Sequence, residues 1–275
     1  MWNSNWGEDM TRLLLTTAAL VAIAMTGAAN AADLSSPPPV YRAPPPPVAY
    51  SWTGCYVGGG GGYALWNQDQ SVTVNGVSVT QPITNGGRGW FGQGQTGCDY
   101  QFGLPLGSFW RPNVVIGAFG DYEFGGNSGM TGSFSSPLAV GAESMPWTWA
   151  AGARAGVLVT PKFLTYFDGG YTQAHFNQIN LQNSVTGAPF GTNIPGNTYN
   201  GWFIGSGFEY AFDIMPGLFF KTEYRYSSYN SANLPIVSNA SGAQFFGTGV
   251  NTTKYYTQMV STELVWRFNW FGHGF

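Results

Sequence analysis

Lys221, Glu223 and Arg225 stand at alternate positions, and Glu209, Glu263 and Arg267 fall on the matching phase of the neighbouring segments. In a strand, residues two apart project from one face, so what these side chains can do together is pair as ions. Asp99, Asp121, Glu123, Arg154 and Asp168 share that phase in earlier segments. The expectation is a hydrogen-bonded plug of both signs that faces inward, because buried charges persist only when paired.

Other reactive residues are sparse. His175 and His273 are expected near opposite ends of the fold, which disfavours a shared metal. A histidine at the rim with Ser184 or Ser206 and a carboxylate could form a hydrolase of lipid or lipopolysaccharide, yet no spacing fixes that geometry, and a polar rim residue is the preferred reading. The run Gly58–Gly62 lacks the GxGxxG or P-loop context of an anion nest. In a narrow curved sheet, missing inward side chains would instead let a large neighbour such as Tyr100 or Arg267 lie across the gap. No enzyme, metal or cofactor is expected.

Cys55 and Cys98 are the two cysteines of the chain. Ser71-Val72-Thr73-Val74 and Val77-Ser78-Val79-Thr80 flank Asn75-Gly76, a type I′ hairpin pair. Folding back there brings Cys55 towards Cys98 with an offset of two residues, for a bulge or irregular turn to absorb. Both lie in the outward phase near the turn-side rim. An oxidising compartment permits a disulfide, with two separate thiols as the alternative.

The elements that would position these residues are eight alternating segments, 55–66, 88–102, 112–124, 147–157, 162–175, 199–212, 217–227 and 254–268. Trp202, Ile204, Phe208, Tyr210 and Phe212 oppose Gly205, Gly207 and Glu209. Leu218, Phe220, Thr222, Tyr224 and Tyr226 oppose the Lys221 face, and Tyr256, Val260, Leu264, Trp266 and Phe268 oppose Ser261, Glu263 and Arg267. Intervening stretches are alternately long and short. The expected fold is all-β, an eight-stranded antiparallel up-and-down transmembrane barrel with short periplasmic turns and long extracellular loops at 67–87, 125–146, 176–198 and 228–253. An interior of that width is filled by side chains or holds a small ligand. The apolar face would meet lipid, with Tyr and Trp as girdles.

Upstream, Met10-Thr11-Arg12, an apolar run from Leu13 to Met25 and Ala29-Asn30-Ala31 read as an export signal cleaved after Ala31. Residues 1–9 receive no function. The expected organisation is 1–31 upstream segment and signal, 32–54 proline-rich periplasmic lead, 55–268 barrel and 269–275 aromatic tail. Pro37–Pro39 and Pro44–Pro47 favour an extended polyproline tether. Charged residues make up only 8% of the chain and acids outnumber bases 13 to 10, so nothing supplies a basic footprint for nucleic acid.

From Tyr50-Ser51-Trp52-Thr53-Gly54-Cys55-Tyr56-Val57-Gly58-Gly59 to Leu264-Val265-Trp266-Arg267-Phe268-Asn269-Trp270 the chain resembles the small outer membrane proteins of alphaproteobacteria, the immunogenic, porin-like proteins of rhizobia and their relatives. The resemblance implies an outer membrane barrel that contributes to envelope integrity and displays antigenic loops, and it supplies no catalytic residue. Assembly machinery would read a closing aromatic, either Phe268 or Phe275. Further expected partners are outer membrane lipid, lipopolysaccharide and a peptidoglycan contact. Both termini are expected in the periplasm. The alternative functions are a narrow porin for small solutes and, behind it, a barrel that binds lipid or a small ligand.

Overall fold

The computed structural model describes residues 51–74, 77–78, 82–105, 112–132, 139–244 and 250–268. The expected signal, the proline-rich lead, the Asn75-Gly76 turn, His273 and the tail with Phe275 lie outside the described residues.

Among the described residues, thirteen antiparallel strands form a single sheet. They are β1 (Gly54–Val74), β2 (Val77–Ser78), β3 (Ile83–Gly103), β4 (Asn113–Gly132), β5 (Ala139–Thr160), β6 (Phe163–Phe176), β7 (Ile179–Asn183), β8 (Pro189–Ile194), β9 (Asn197–Ala211), β10 (Leu218–Tyr229), β11 (Ala232–Pro235), β12 (Val237–Ser238) and β13 (Val250–Phe268). The expectation of an eight-stranded barrel joined by long irregular loops is therefore corrected. Stretches assigned to loops hold β7, β8, β11 and β12, and β1, β3, β4 and β5 run well beyond their predicted ends, whereas β6, β9 and β10 match theirs within two residues and β2 falls in the second arm expected of the Asn75-Gly76 hairpin. Gly126, Asn127, Ser128 and Gly129, read as a surface loop, belong to β4, and Asn127 is buried.

Two physical reasons account for the difference. Beyond the apolar band both faces of a strand are polar, as in Asn67-Gln68-Asp69-Gln70, so alternation fades while the hydrogen-bonded ladder continues. Hydrophobic periodicity reports burial and lipid contact, not the ladder itself.

The long strands pair β5–β4–β3–β1–β13–β10–β9–β6, and β6 pairs with β5 as well as β9. Register can be followed from Cys55 through Cys98, Ala118, Ala153, Gly169, Ile204, Tyr226 and Gln258. Gln258 in turn pairs with Leu65, further along β1. That stagger is what tilted strands produce.

Along each strand the faces then separate. Ile204, Val260 and Leu264 are half exposed or more, whereas Glu209, Lys221 and Glu263 are almost completely buried. Aromatic rings on adjacent strands meet in two outward bands. Tyr63–Trp90, Tyr122–Trp147, Trp149–Tyr171, Trp202–Tyr226 and Tyr226–Tyr256 form one, with ring centroids 5.0–6.4 Å apart. Tyr100–Phe102, Phe163–Phe208, Phe208–Phe220 and Phe212–Phe220 form the other, near the short connections. Two interfacial girdles bounding an apolar surface are the signature of a sheet that crosses a bilayer. We call the ends of the fold the loop end and the turn end.

At the loop end β7 pairs with β5 and β8, and β8 with β12. Ile179, Leu181, Ile194 and Ile236 form a small separate core there.

Candidate functional site

The inward face is filled by side chains in four tiers. At the turn end Trp52 is fully buried against Phe219, centroids 4.8 Å apart. Its indole N–H donates to the Pro161 carbonyl at 3.1 Å, and its backbone N–H donates to Gln101 Oε1. The segment entering β1 thereby turns inward and covers the interior. The sequence placed Trp52 in the proline-rich lead and attached no structural role to it. No alternation precedes β1, so periodicity offered no signal there.

Above Trp52, four charges close into a ring. Arg154 donates to both oxygens of Asp99 and to Glu209, and Arg267 donates to the same two carboxylates. Each guanidinium also lies over aromatic faces, Arg154 4.8 Å from the Tyr56 centroid and Arg267 5.0 Å from that of Trp52. Two cations and two anions, all buried, leave this tier neutral.

A second charged tier is built on Lys221, Glu223 and Arg225 of β10. Arg225 forks onto Asp121 at 3.1 and 2.6 Å, donates to Glu223 and reaches Glu123 at 3.5 Å. Lys221 Nζ lies 2.8 Å from Glu223, 3.1 Å from Glu263 and 2.9 Å from Gln95 Oε1, and the Tyr166 hydroxyl donates to Glu223 at 3.0 Å. Asp168 faces the same space. All eleven charged residues that the sequence grouped are thus buried on the inward face, in two networks rather than one.

Glycine makes room, though not for the neighbours expected. A side chain at Gly97 would meet the Tyr56 hydroxyl at 2.5 Å, and one at Gly207 would meet the Tyr166 hydroxyl at 2.6 Å. Tyr100, expected to cross such a gap, instead points outward and is 59% exposed.

The fourth tier lies beyond the loop-end girdle and was missed from the sequence. Glu143 accepts from the Thr131 and Tyr255 hydroxyls and from Gln68 Nε2 at 3.4 Å, and Thr131 Oγ1 also lies 3.0 Å from Gln68 Oε1. Trp66, Phe176, Tyr199 and Tyr229 pack around this group. Burial pushes the Glu143 carboxyl up to about 6, against the opposing effect of the Thr131 and Tyr255 hydrogen bonds. Glu143 has the opposite parity to Arg154 on the same strand. The register shift between Phe124 and Asn127 on β4, opposite Pro146, reverses the phase of β5, and simple alternation therefore assigned Glu143 to no inward set.

Cys55 and Cys98 are directly opposed in the β1–β3 ladder and are joined as a disulfide. The anticipated two-residue offset is present. Cys55↔Cys98 and Gln70↔Ile83 keep one register, whereas Thr73↔Ser78 and Val74↔Val77 keep another, shifted by two. His175 stacks on Trp147 with centroids 5.4 Å apart, and its Nδ1 meets Thr198 Oγ1 at 2.9 Å. Phe268 closes β13 opposite Cys55. Among the described residues, no group of three or more His, Cys, Asp or Glu is placed to hold a metal ion.

An antiparallel sheet with a charged inward face, an apolar outward face and two aromatic girdles defines an outer membrane protein. Residues 17–268 match the family described as outer membrane protein beta-barrel domain, and the chain belongs to that family. It is related to the 31 kDa outer-membrane immunogenic protein of Brucella melitensis, with 28% identity over 236 residues, 81% of this chain and 90% of the relative. The Brucella suis protein of the same description matches equally. Among solved structures the chain is similar to OprG of Pseudomonas aeruginosa, at 12% identity, TM-score 0.43 and coverage of 78% of this chain and 97% of that one. It is also similar to Ail of Yersinia pestis, at 13% identity, TM-score 0.31 and coverage of 76% and 99%.

Proposed function

We propose that this is a structural protein of the outer membrane that contributes to envelope integrity and displays its loop-end strands at the cell surface, with both termini in the periplasm. The observation that carries this reading is the filled interior. Trp52, the Arg154–Arg267 ring, the Lys221–Arg225 network and the Glu143–Tyr255 cluster succeed one another from turn end to loop end. On this reading the eleven inward charges are a plug that rigidifies the sheet against lateral pressure, and the long ribbons serve recognition. Lipid and lipopolysaccharide would contact the girdles, and Phe268 would be the aromatic read by the assembly machinery.

Two measurements test this reading. Folded protein in planar bilayers should show no discrete conductance, and deletion of the gene should increase detergent sensitivity or vesicle release. Reproducible single-channel openings would instead establish the narrow porin.

A further inference from the structure

The two charged networks differ in balance. The turn-end ring holds Asp99 and Glu209 against Arg154 and Arg267. The second network holds Asp121, Glu123, Asp168, Glu223 and Glu263 against only Lys221 and Arg225, all of them buried. Five carboxyl groups against two cations leave a formal surplus of three. In an interior from which water is excluded, such a surplus is not carried as bare charge, because a buried carboxylate lacking a partner takes up a proton instead.

The contacts show where the surplus sits. Asp121 and Glu223 receive the best hydrogen bonds from Arg225 and Lys221. Glu123 has a single cationic contact, at 3.5 Å. Glu263 uses one oxygen on Lys221, while its other oxygen has no hydrogen-bond partner. No donor reaches either oxygen of Asp168, whose side chain lies over Gly205 with Glu223 among its electrostatic neighbours. The remaining polar groups cannot neutralise the surplus. β3 offers Gln93 and Gln95, which carry no charge, and β6 offers Tyr166, whose hydroxyl is already given to Glu223. Arg154 from β5 is engaged by Asp99 and Glu209. β1 contributes glycine here, with Gly60 opposite Glu263. The residues on hand do not form a metal chelate either.

We propose that the Asp168, Glu123 and Glu263 carboxyl groups form a proton-binding site in the middle of the membrane, holding three protons at neutral pH. This rests on the reading of a closed interior. A proton on Asp168 lets its O–H donate to the neighbouring Glu223, which turns a repulsive carboxylate pair into a hydrogen bond. Glu123 and Glu263 carry the other two.

The test is infrared spectroscopy of the full-length folded protein in lipid at neutral pH, in H2O and D2O, with bilayer conductance measured on the same samples. The expected result is a protonated-carboxyl carbonyl band that shifts on deuteration and loses about one third of its area in each of D168N, E123Q and E263Q. Unfolding at neutral pH should also release three protons per chain, by potentiometry. A silent protein with no protonated-carboxyl band and no proton release would overturn the proton site while leaving the closed interior intact. A conducting protein whose carboxyl groups are all ionised would overturn both. The wild-type spectrum and the proton count decide the matter even where a variant fails to fold.

Discussion

Trp52 and Pro161 lie 109 residues apart in sequence, yet the indole N–H of one donates to the carbonyl of the other at 3.1 Å. This bond ties the entry of β1 to the tight turn between β5 and β6, directly below the Arg267 guanidinium. Replacing Trp52 with Ala removes its contacts with Phe219 and Arg267 and should lower stability by roughly 3–5 kcal/mol. The variant should nevertheless stay silent in bilayers, because three filled tiers remain above the gap. The urea midpoint in detergent and single-channel recordings check the two halves of this expectation; channels in W52A would mean that Trp52 alone closes the interior.

Arg225 serves Asp121, Glu123 and Glu223 together. Its replacement with Ala leaves a deficit that Lys221 cannot meet, at a cost of about 3–5 kcal/mol, the range seen when one member of a buried network is removed. Protonation can relieve what the lost cation no longer neutralises, so the penalty should shrink in acid and grow in alkali. Urea midpoints of wild type and R225A across a pH series provide the check. An equal midpoint at every pH would show that the Arg225 contacts add nothing to stability.

What the sequence revealed and what it concealed divide along one physical line. Where one strand face meets lipid and the other is enclosed, alternation is strong, and Lys221, Glu223, Arg225, Glu263 and Arg267 could be grouped from spacing alone. Beyond the girdles both faces are polar, so apart from the Ser71–Val74 arm of the Asn75-Gly76 hairpin the ladder of β1 past Leu65 and the short strands β7, β8, β11 and β12 left no periodic trace. Glu143 was hidden by a phase reversal near Pro146, and Trp52 by its position ahead of the first strand. Spacing likewise could not divide the charges into a neutral ring and a carboxylate-rich network. That division depends on which strands neighbour across the interior.

The Cys55–Cys98 disulfide closes a separation of 43 residues that contains most of the β1–β3 ribbon. Chain entropy alone predicts that its loss destabilises the protein by about 4 kcal/mol. The expected outcome is a lower urea midpoint for C98S and for reduced wild type, with equal values for the two. Intact mass without reductant should show the deficit of two hydrogens. A reduced protein with an unchanged midpoint would show that the ladder alone holds β1 to β3.

Glu143 supplies the clearest pH signature, because it lies beyond the loop-end girdle and is the carboxyl group of its tier. Burial raises it from an ordinary 4.5 to about 6. Between those two values the folded protein holds the proton more tightly than the unfolded chain does, so stability falls as pH rises through this window and stays lower above it. The full effect is about 2 kcal/mol, at about 1.4 kcal/mol for each tenfold change in proton affinity. Glu143→Gln keeps an oxygen to accept from Tyr255 and Thr131 while removing the ionisation. The variant should match wild type at pH 4 and exceed it at pH 7, with the gap between the two opening between pH 4.5 and 6, on top of the slope that Asp168, Glu123 and Glu263 give to both proteins. Urea midpoints of both proteins across that range decide the question: a difference between them that does not change with pH would assign the titration to another group, and a variant weaker at pH 7 would show that the ionised carboxylate is the stabilising form.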